Sequence, residues 1–325
     1  MQGPLVSVII PTYNRAHLIE GAIASVLRQE YRPLEIIVVD DGSTDNTSDL
    51  MAGKYPHLLY VRQANSGPSV ARNQGVRLSS GEIIMFLDSD DEWLPGKVKR
   101  QVDLLRDAGP SACCCVTNAI LRETNGKNQL SFDVAEMYPL LANGLWTNPA
   151  EVLASRFLFF NQVVAVRRDA IVQCGGFNER LTLLEDWDLA LRLAVLGPWA
   201  YTTEPFAVWN PGSNGSLVAR AARDRISLRE SSLTVHQSAL AREGAASRTQ
   251  TADLLRHKIR TTQRELLGLH LAQDKSIWKR AAGNSITLAE RCRTALSKRL
   301  RRWPEMQVQA LTSGPAVLEY EKATA

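Results

Sequence analysis

Three carboxylates stand close together at Asp88, Asp90 and Asp91, in the stretch Glu82-Ile83-Ile84-Met85-Phe86-Leu87-Asp88-Ser89-Asp90-Asp91-Glu92-Trp93-Leu94-Pro95. Acids at that spacing repel one another unless a cation sits among them, and a hard divalent ion with oxygen ligands is the natural occupant. A metal there could hold a diphosphate. Asp and Pro also mark helix starts, so a loop that merely caps the next helix is the second reading, and this stretch alone leaves both open. A further acid pair, Asp40-Asp41, precedes Gly42, and a third group, Glu185, Asp186 and Asp188, opens a segment with an apolar stripe at Trp187, Leu191 and Ala194. A helix dipole favours carboxylates in a first turn. That accounts for one or two of these last acids but does not require three.

Such side chains need elements to carry them. The unbroken apolar run Ile83 to Leu87 reads as a strand buried on both faces, as in a parallel sheet, and ligands of open α/β sheets bind beyond the carboxyl ends of the strands. Leu5 to Ile10 is a similar run, closed by Pro11-Thr12-Tyr13-Asn14-Arg15, and Glu35 to Val39 is another, closed by Asp40-Asp41. Helical spacing follows each, over Leu18 to Leu27 and up to Met51, with Ser43, Thr44 or Asp45 as the cap. Leu58 to Val61 reads as a strand, and Pro68 suits the first turn of a helix through Leu78. This alternation predicts a doubly wound, mostly parallel sheet with both acid clusters at one crevice. A helix over 98–105, a strand over 112–116, an irregular region over 122–146, a sheet element over 157–166, a helix from Arg168 and a helix over 183–193 complete the domain. Cys113, Cys114 and Cys115 are adjacent, which suits neither a disulfide scheme nor a metal site, and they read as buried thiols in a strand.

Among the 325 residues, 45% are hydrophobic and 22% charged, which argues for a globular chain. No segment reaches the roughly 18 uninterrupted apolar residues of a membrane span, and the N-terminus lacks a basic-then-apolar leader, so a cytoplasmic location is expected. The net charge of +4 hides an asymmetry: from Val218 onward there are 20 Lys and Arg against 10 Asp and Glu. The division expected is a catalytic-type domain over 1–217 and a basic, mainly helical extension over 218–325. In the extension Leu288, Cys292, Leu296, Leu300 and Trp303 form a stripe flanked by Arg and Lys. It could lie on an anionic membrane surface at the inner face, or pack on the main domain, or make an oligomer contact. The basic surplus is spread over a hundred residues without interleaved aromatics, which argues against nucleic acid.

Six fragments in order, VSVIIPTYNR (6–15), EIIVVDDGSTDNT (35–47), NSGPSVARNQG (65–75), GEIIMFLDSDDEWLP (81–95), CGGFNE (174–179) and LLEDWDLALRLA (183–194), make the chain similar to the family-2 glycosyltransferases. The resemblance covers roughly residues 4–215. It implies a GT-A fold, a nucleoside-diphosphate sugar donor that is most often uridine-linked, a glycan or lipid-linked hydroxyl acceptor, and inversion at the anomeric carbon. It implies nucleotide-binding roles for Pro11, Tyr13, Arg15, Asp40, Asp41, Arg72, Asp88 and Ser89, with Asn73 near the same positions. Asp90 would bind Mg²⁺ or Mn²⁺, Asp186 would be the base, and Glu185, Trp187 and Asp91 would contact or support the acceptor. The helix-start position of Asp186 would favour its ionised form. One departure is that Trp209-Asn210-Pro211-Gly212-Ser213-Asn214-Gly215-Ser216 stands where many members carry an Arg or His motif. The rival reading is a non-catalytic nucleotide-sugar or glycan-binding module on the same sheet. A nucleotidyltransferase would want glycines after the first strand, which PTYNRAH lacks.

Overall fold

The computed structural model describes residues 3–123, 126–156, 161–210, 224–244 and 246–273. Strand β1 (Val6–Thr12) is central because all seven of its residues are buried, so it can accept neighbours and helices on every side. It pairs in parallel with β2 (Leu34–Asp40) on one flank and β4 (Ile83–Phe86) on the other, and β3 (Leu59–Arg62) lies beyond β2. Ile9 faces Ile37 and Phe86 in register, so the three chain segments leaving these strands emerge at one sheet edge. Helices α1 (Ile19–Leu27), α2 (Thr47–Lys54) and α3 (Pro68–Leu78) are the crossovers. Helix α3 crosses β1 so closely that a Cβ at Gly75 would run into the Ile9 side chain, which fixes the depth at which Arg72 sits.

The rest of the sheet is built by β5 (Glu92–Trp93), β6 (Cys114–Arg122), β7 (Asn128–Leu130), β8 (Asn143–Trp146), β9 (Val164–Arg167) and β10 (Trp199–Trp209), in the order β3-β2-β1-β4-β9-β6-β10-β5 with β7 on β6 and β8 on β10. The sheet is mostly parallel, but β9 runs antiparallel to both β4 and β6. The sheet element expected over 157–166 is the strand Val164–Arg167, and 157–160 lie outside the described residues. The region read as irregular holds β7, the one-turn helix α5 (Ser131–Val134) and β8. The eleven-residue β10 has no counterpart in the reading of the sequence, because Thr-Thr-Glu-Pro interrupts its apolar pattern and its register shifts twice against β6. The three adjacent cysteines are free and buried at the start of β6.

Helices α4 (Lys97–Asp107), α6 (Pro149–Ser155), α7 (Arg168–Gln173) and α8 (Glu185–Leu193) cover the sheet. Helices α9 (Arg225–Glu243) and α10 (Gln250–Gln273) pack on each other, α9 against α8 and α10 against α6. The expected boundary at 217/218, the segment 211–216 and the stripe over 288–303 lie outside the described residues. No described helix is long and apolar enough to cross a membrane.

One buried cation props the turn after the acid cluster. Lys97 is fully buried, its Nζ 2.5 Å from Gln101 Oε1 and 5.1 Å from the Trp93 ring centroid, while Gln101 Nε2 donates to the carbonyls of Cys115 and Val163. Burial pushes its pKa down to about 7. An unfolded lysine titrates near about 10.4, so the burden of the buried charge is fully present below pH 7 and is relieved as pH rises through that window. Wild-type protein should therefore gain roughly 2–4 kcal/mol between pH 7 and about pH 10 relative to Lys97→Met, whose stability lacks this slope, as read from urea melts at each pH.

Candidate active site

The loop after β4 holds its acids in unequal ways. Gln162 Nε2 donates to Asp88 Oδ2 and to Asp91 Oδ2, both at 2.6 Å, so one amide nitrogen clamps two carboxylates. The other oxygen of Asp91 accepts from the backbone N–H of Asn210 at 2.8 Å, and Asn210 Nδ2 donates to the carbonyl of Asp90 at 2.7 Å. Burial, and then the charge of Asp88, push the Asp91 carboxyl well above the usual range. No described side chain donates a hydrogen bond to the Asp90 carboxylate, and the nearest cation is Arg15, with Nε 3.9 Å from Asp90 Oδ2. Burial and Asp88 raise its pKa too. Ser89 is buried.

A buried guanidinium joins this loop to helix α8. Arg72, on α3, donates from one terminal nitrogen to Asp88 Oδ1 at 2.7 Å and from the other to Glu185 Oε1 at 3.0 Å, with its guanidinium carbon 5.3 Å from the Phe177 ring centroid. Burial pulls its pKa down, and the two carboxylates outweigh that and push it up. Asn73, the next residue, ties α3 to the turn before α8 by accepting from Phe177 N at 2.7 Å and donating to Phe177 O and Glu179. Asp186 follows Glu185 in the first turn of α8 and accepts from Trp187 N at 2.7 Å. Burial, then the charge of Glu185, push its pKa up to about 7 against the opposing pull of Arg72. The helix-start expectation for Asp186 is thus reversed: desolvation and the adjacent acid exceed what the short helix offers.

The loops after β1 and β2 form a stitched rim. Asn14, at φ 52°, accepts from Thr44 N at 2.7 Å, and its own N–H donates to Ser43 Oγ at 2.9 Å. Tyr13 stands 45% exposed on this rim, while Pro11 is buried within β1 opposite Val39. Asp41 Oδ1 accepts from Gln63 Nε2 and Ser66 N, and Oδ2 from Gly67 N, at 2.8–2.9 Å. Those bonds leave one of its four lone-pair sites for an outside N–H. Asp40 is different: it is fully buried, its oxygens taken by Ser43 N and the Tyr60 hydroxyl. Asp40, expected to contact the nucleotide, thus has both oxygens bonded within the protein and holds the Ser43 turn. Trp187 likewise turns away from the site, its Nε1 donating to Leu153 O, and Glu185 and Asp91 are committed to Arg72, Gln162 and Asn210. They support the site from behind.

The match to a family model decides the identity: residues 7–179 fit "Glycosyl transferase family 2". The chain belongs to that family. The putative teichuronic acid biosynthesis glycosyltransferase TuaG of Bacillus subtilis (strain 168) is 40% identical over 109 residues, covering 32% of this chain and 43% of that protein. The chain spans less than half the length of the curated relatives it matches. In fold it resembles S. aureus TarS 1-349, solved with UDP-GlcNAc (TM-score 0.60, 18% identity, 92% of this chain and 81% of that chain). It also resembles the mannosyltransferase PcManGT of Pyrobaculum calidifontis, solved with GDP-Man and Mn²⁺ (TM-score 0.59, 22% identity, 93% and 83%). The family-2 chain thus has the GT-A fold anticipated for it.

The residues fit a hard divalent ion held jointly with a ligand. Among the described residues no three His, Cys, Asp or Glu side chains are grouped to hold a metal alone. A magnesium-like ion, however, needs only one or two carboxylates beside substrate phosphates, and Asp90 supplies such a carboxylate in a partly desolvated position. Sequence reasoning missed Gln162 and Asn210. A lone amide carries no motif, and only the fold brings these two, 71 and 119 residues on, against Asp91.

Two substitutions probe this cluster. Arg72→Met strands the buried Glu185 and the half-buried Asp88 and should cost about 3–5 kcal/mol in chemical denaturation. Gln162→Leu should leave the fold standing but weaken Mn²⁺-dependent UDP binding by about 10–100-fold in calorimetry, because the acids flanking Asp90 are no longer clamped.

Proposed function

We propose that this chain transfers a glycosyl group from a nucleoside-diphosphate sugar to a hydroxyl acceptor with inversion, Asp186 serving as base. One observation carries the reading: Arg72 links the acid loop and the turn bearing Asp186, so phosphate handling and proton acceptance share a site. The acceptor oxygen attacks the anomeric carbon opposite the diphosphate. The bond from that carbon to the β-phosphate oxygen breaks, its electron pair leaves with the nucleoside diphosphate, and Asp186 takes the acceptor proton. A base with pKa about 7 is half ionised at neutral pH and basic enough to accept that proton.

Tyr13 offers a face for the base to stack on and Asp41 a free acceptor site for a ring N–H, as uracil and guanine both present. Asp88, with its side chain 27% exposed, would accept hydrogen bonds from ribose hydroxyls, and Arg15 would meet phosphate oxygens. Mg²⁺ or Mn²⁺, when bound at Asp90, would neutralise charge on the departing diphosphate. The acceptor we infer is a glycan or lipid-linked hydroxyl, a reading supported by what the name of TuaG says of that relative.

The test is nucleotide release from a panel of uridine- and guanosine-diphosphate sugars with Mn²⁺ and a panel of glycan and lipid-linked hydroxyls as acceptors, water being the acceptor of last resort. Wild type should release nucleotide, with a rate that rises through pH 7 as Asp186 ionises. Asp186→Asn should lose about 10²–10⁴-fold in rate and should still bind UDP as tightly as wild type. Unchanged turnover in that variant removes Asp186 from the base role. Donor binding with no release from wild type would favour the binding-module reading.

A further inference from the structure

Helix α8 begins under strain. Leu184, the residue before its first turn, adopts φ 62° and ψ 24°, a left-handed conformation that a branched side chain keeps only where surrounding packing enforces it. That bend aims Glu185 and Asp186 at the site. The contact that can enforce it is Trp187, buried behind them: its backbone N–H holds Asp186 Oδ1, its indole N–H donates to Leu153 O on α6 at 3.2 Å, and its ring meets that of His236 on α9. The His236 and Trp187 rings are 4.7 Å apart at 85°, the edge-to-face arrangement aromatic pairs prefer. Helix α10 in turn packs on α6, so both ends of the indole rest on parts of the chain that the C-terminal helices support.

We propose that the helical pair over 225–273 is a brace for the base, with His236 a positioning residue that acts through Trp187 on the first turn of α8. The imidazole does this as a shape. Its Nδ1 lies 2.6 Å from the carbonyl of Ser232 and therefore carries the hydrogen, while Nε2 is buried with no hydrogen-bond partner among the described residues. Burial, with Lys258 nearby, pushes its pKa down to about 4, so the ring is neutral under working conditions. A phenyl ring would keep the edge contact and remove an unpartnered nitrogen.

The proposal rests on Asp186 acting as base, and the experiment separates the two. Nucleotide release and amide hydrogen exchange over residues 185–188 are measured for the full chain as wild type, His236→Ala, His236→Phe and Leu105→Ala, the last a core truncation on α4 away from the site. His236→Ala should lower kcat by roughly 10–100-fold with donor KM and UDP affinity unchanged, and should speed exchange in the first turn of α8. His236→Phe should restore both readouts to wild-type values. Leu105→Ala should lower the melting temperature while kcat stays. Two results would overturn the brace: His236→Ala keeping wild-type kcat and exchange while losing stability as Leu105→Ala does, or His236→Phe failing as badly as Ala in a folded protein. If wild type releases nothing, the base reading has failed, and the exchange data still decide whether α9 holds the turn.

Discussion

The site depends on the buried guanidinium of Arg72, suspended between Asp88 and Glu185. Removing a charge from water costs several kcal/mol, and the cost is offset only when partners meet it with good geometry, as these two carboxylates do at 2.7 and 3.0 Å. The dependence is mutual. Without the cation, Asp88, Glu185, Asp186 and the Asp90-Asp91 pair would form one repelling group at the end of the sheet. The fold invests accordingly in placing α3: Gly75 lets the helix lie on Ile9, Asp41 anchors the residues that lead into it, Ser66 and Gly67, and Asn73 fastens it to the turn before α8. Arg72 is a structural joint between the part of the site that would hold the donor and the part that would take a proton.

Around that joint the acids are separated by environment. Asp88 and Asp91 share the Gln162 amide, Asp40 is sealed beneath its loop, and Asp90 keeps a carboxylate to which no described side chain donates a hydrogen bond. Asp186, desolvated beside Glu185, is moved to about 7. Sites that divide tasks among chemically identical groups do so by pushing their proton affinities apart, and here the sorting follows from which oxygen is bonded and which is merely buried.

This sorting explains what could be read from the chain itself. Strands β1, β2 and β4 were legible because burial on both faces leaves unbroken apolar runs, and the acids after them were legible because each run stops abruptly. What escaped depends on contacts distant in sequence. Asp40 and Asp41 are adjacent and alike in the chain, yet Tyr60 and Ser43 claim one, while Gln63 and the residues just before α3 hold the other and leave it an open acceptor site. Strand β10 hides because its bulges break the alternation that would announce it, and the antiparallel direction of β9 has no local signal at all. A first-turn position suggested an ionised Asp186, but that rule describes solvated helix ends.

Helix α8 shows why the environment takes precedence. Nine residues are too few for a helix to persist by its own hydrogen bonds, since isolated helices below about 12–15 residues are marginal in water. Its geometry is imposed from outside. Arg192 bonds Asp188 within the helix and reaches the carbonyls of Cys174 and Gly176 in the preceding turn, so the far end is fixed to the same Gly-Gly-Phe segment that Asn73 fastens to α3. At the near end Trp187 and the Arg72 pair flank a residue at positive φ. The carboxylate proposed as base would therefore be carried on an element tied to α3 on one side and packed against the C-terminal helices on the other.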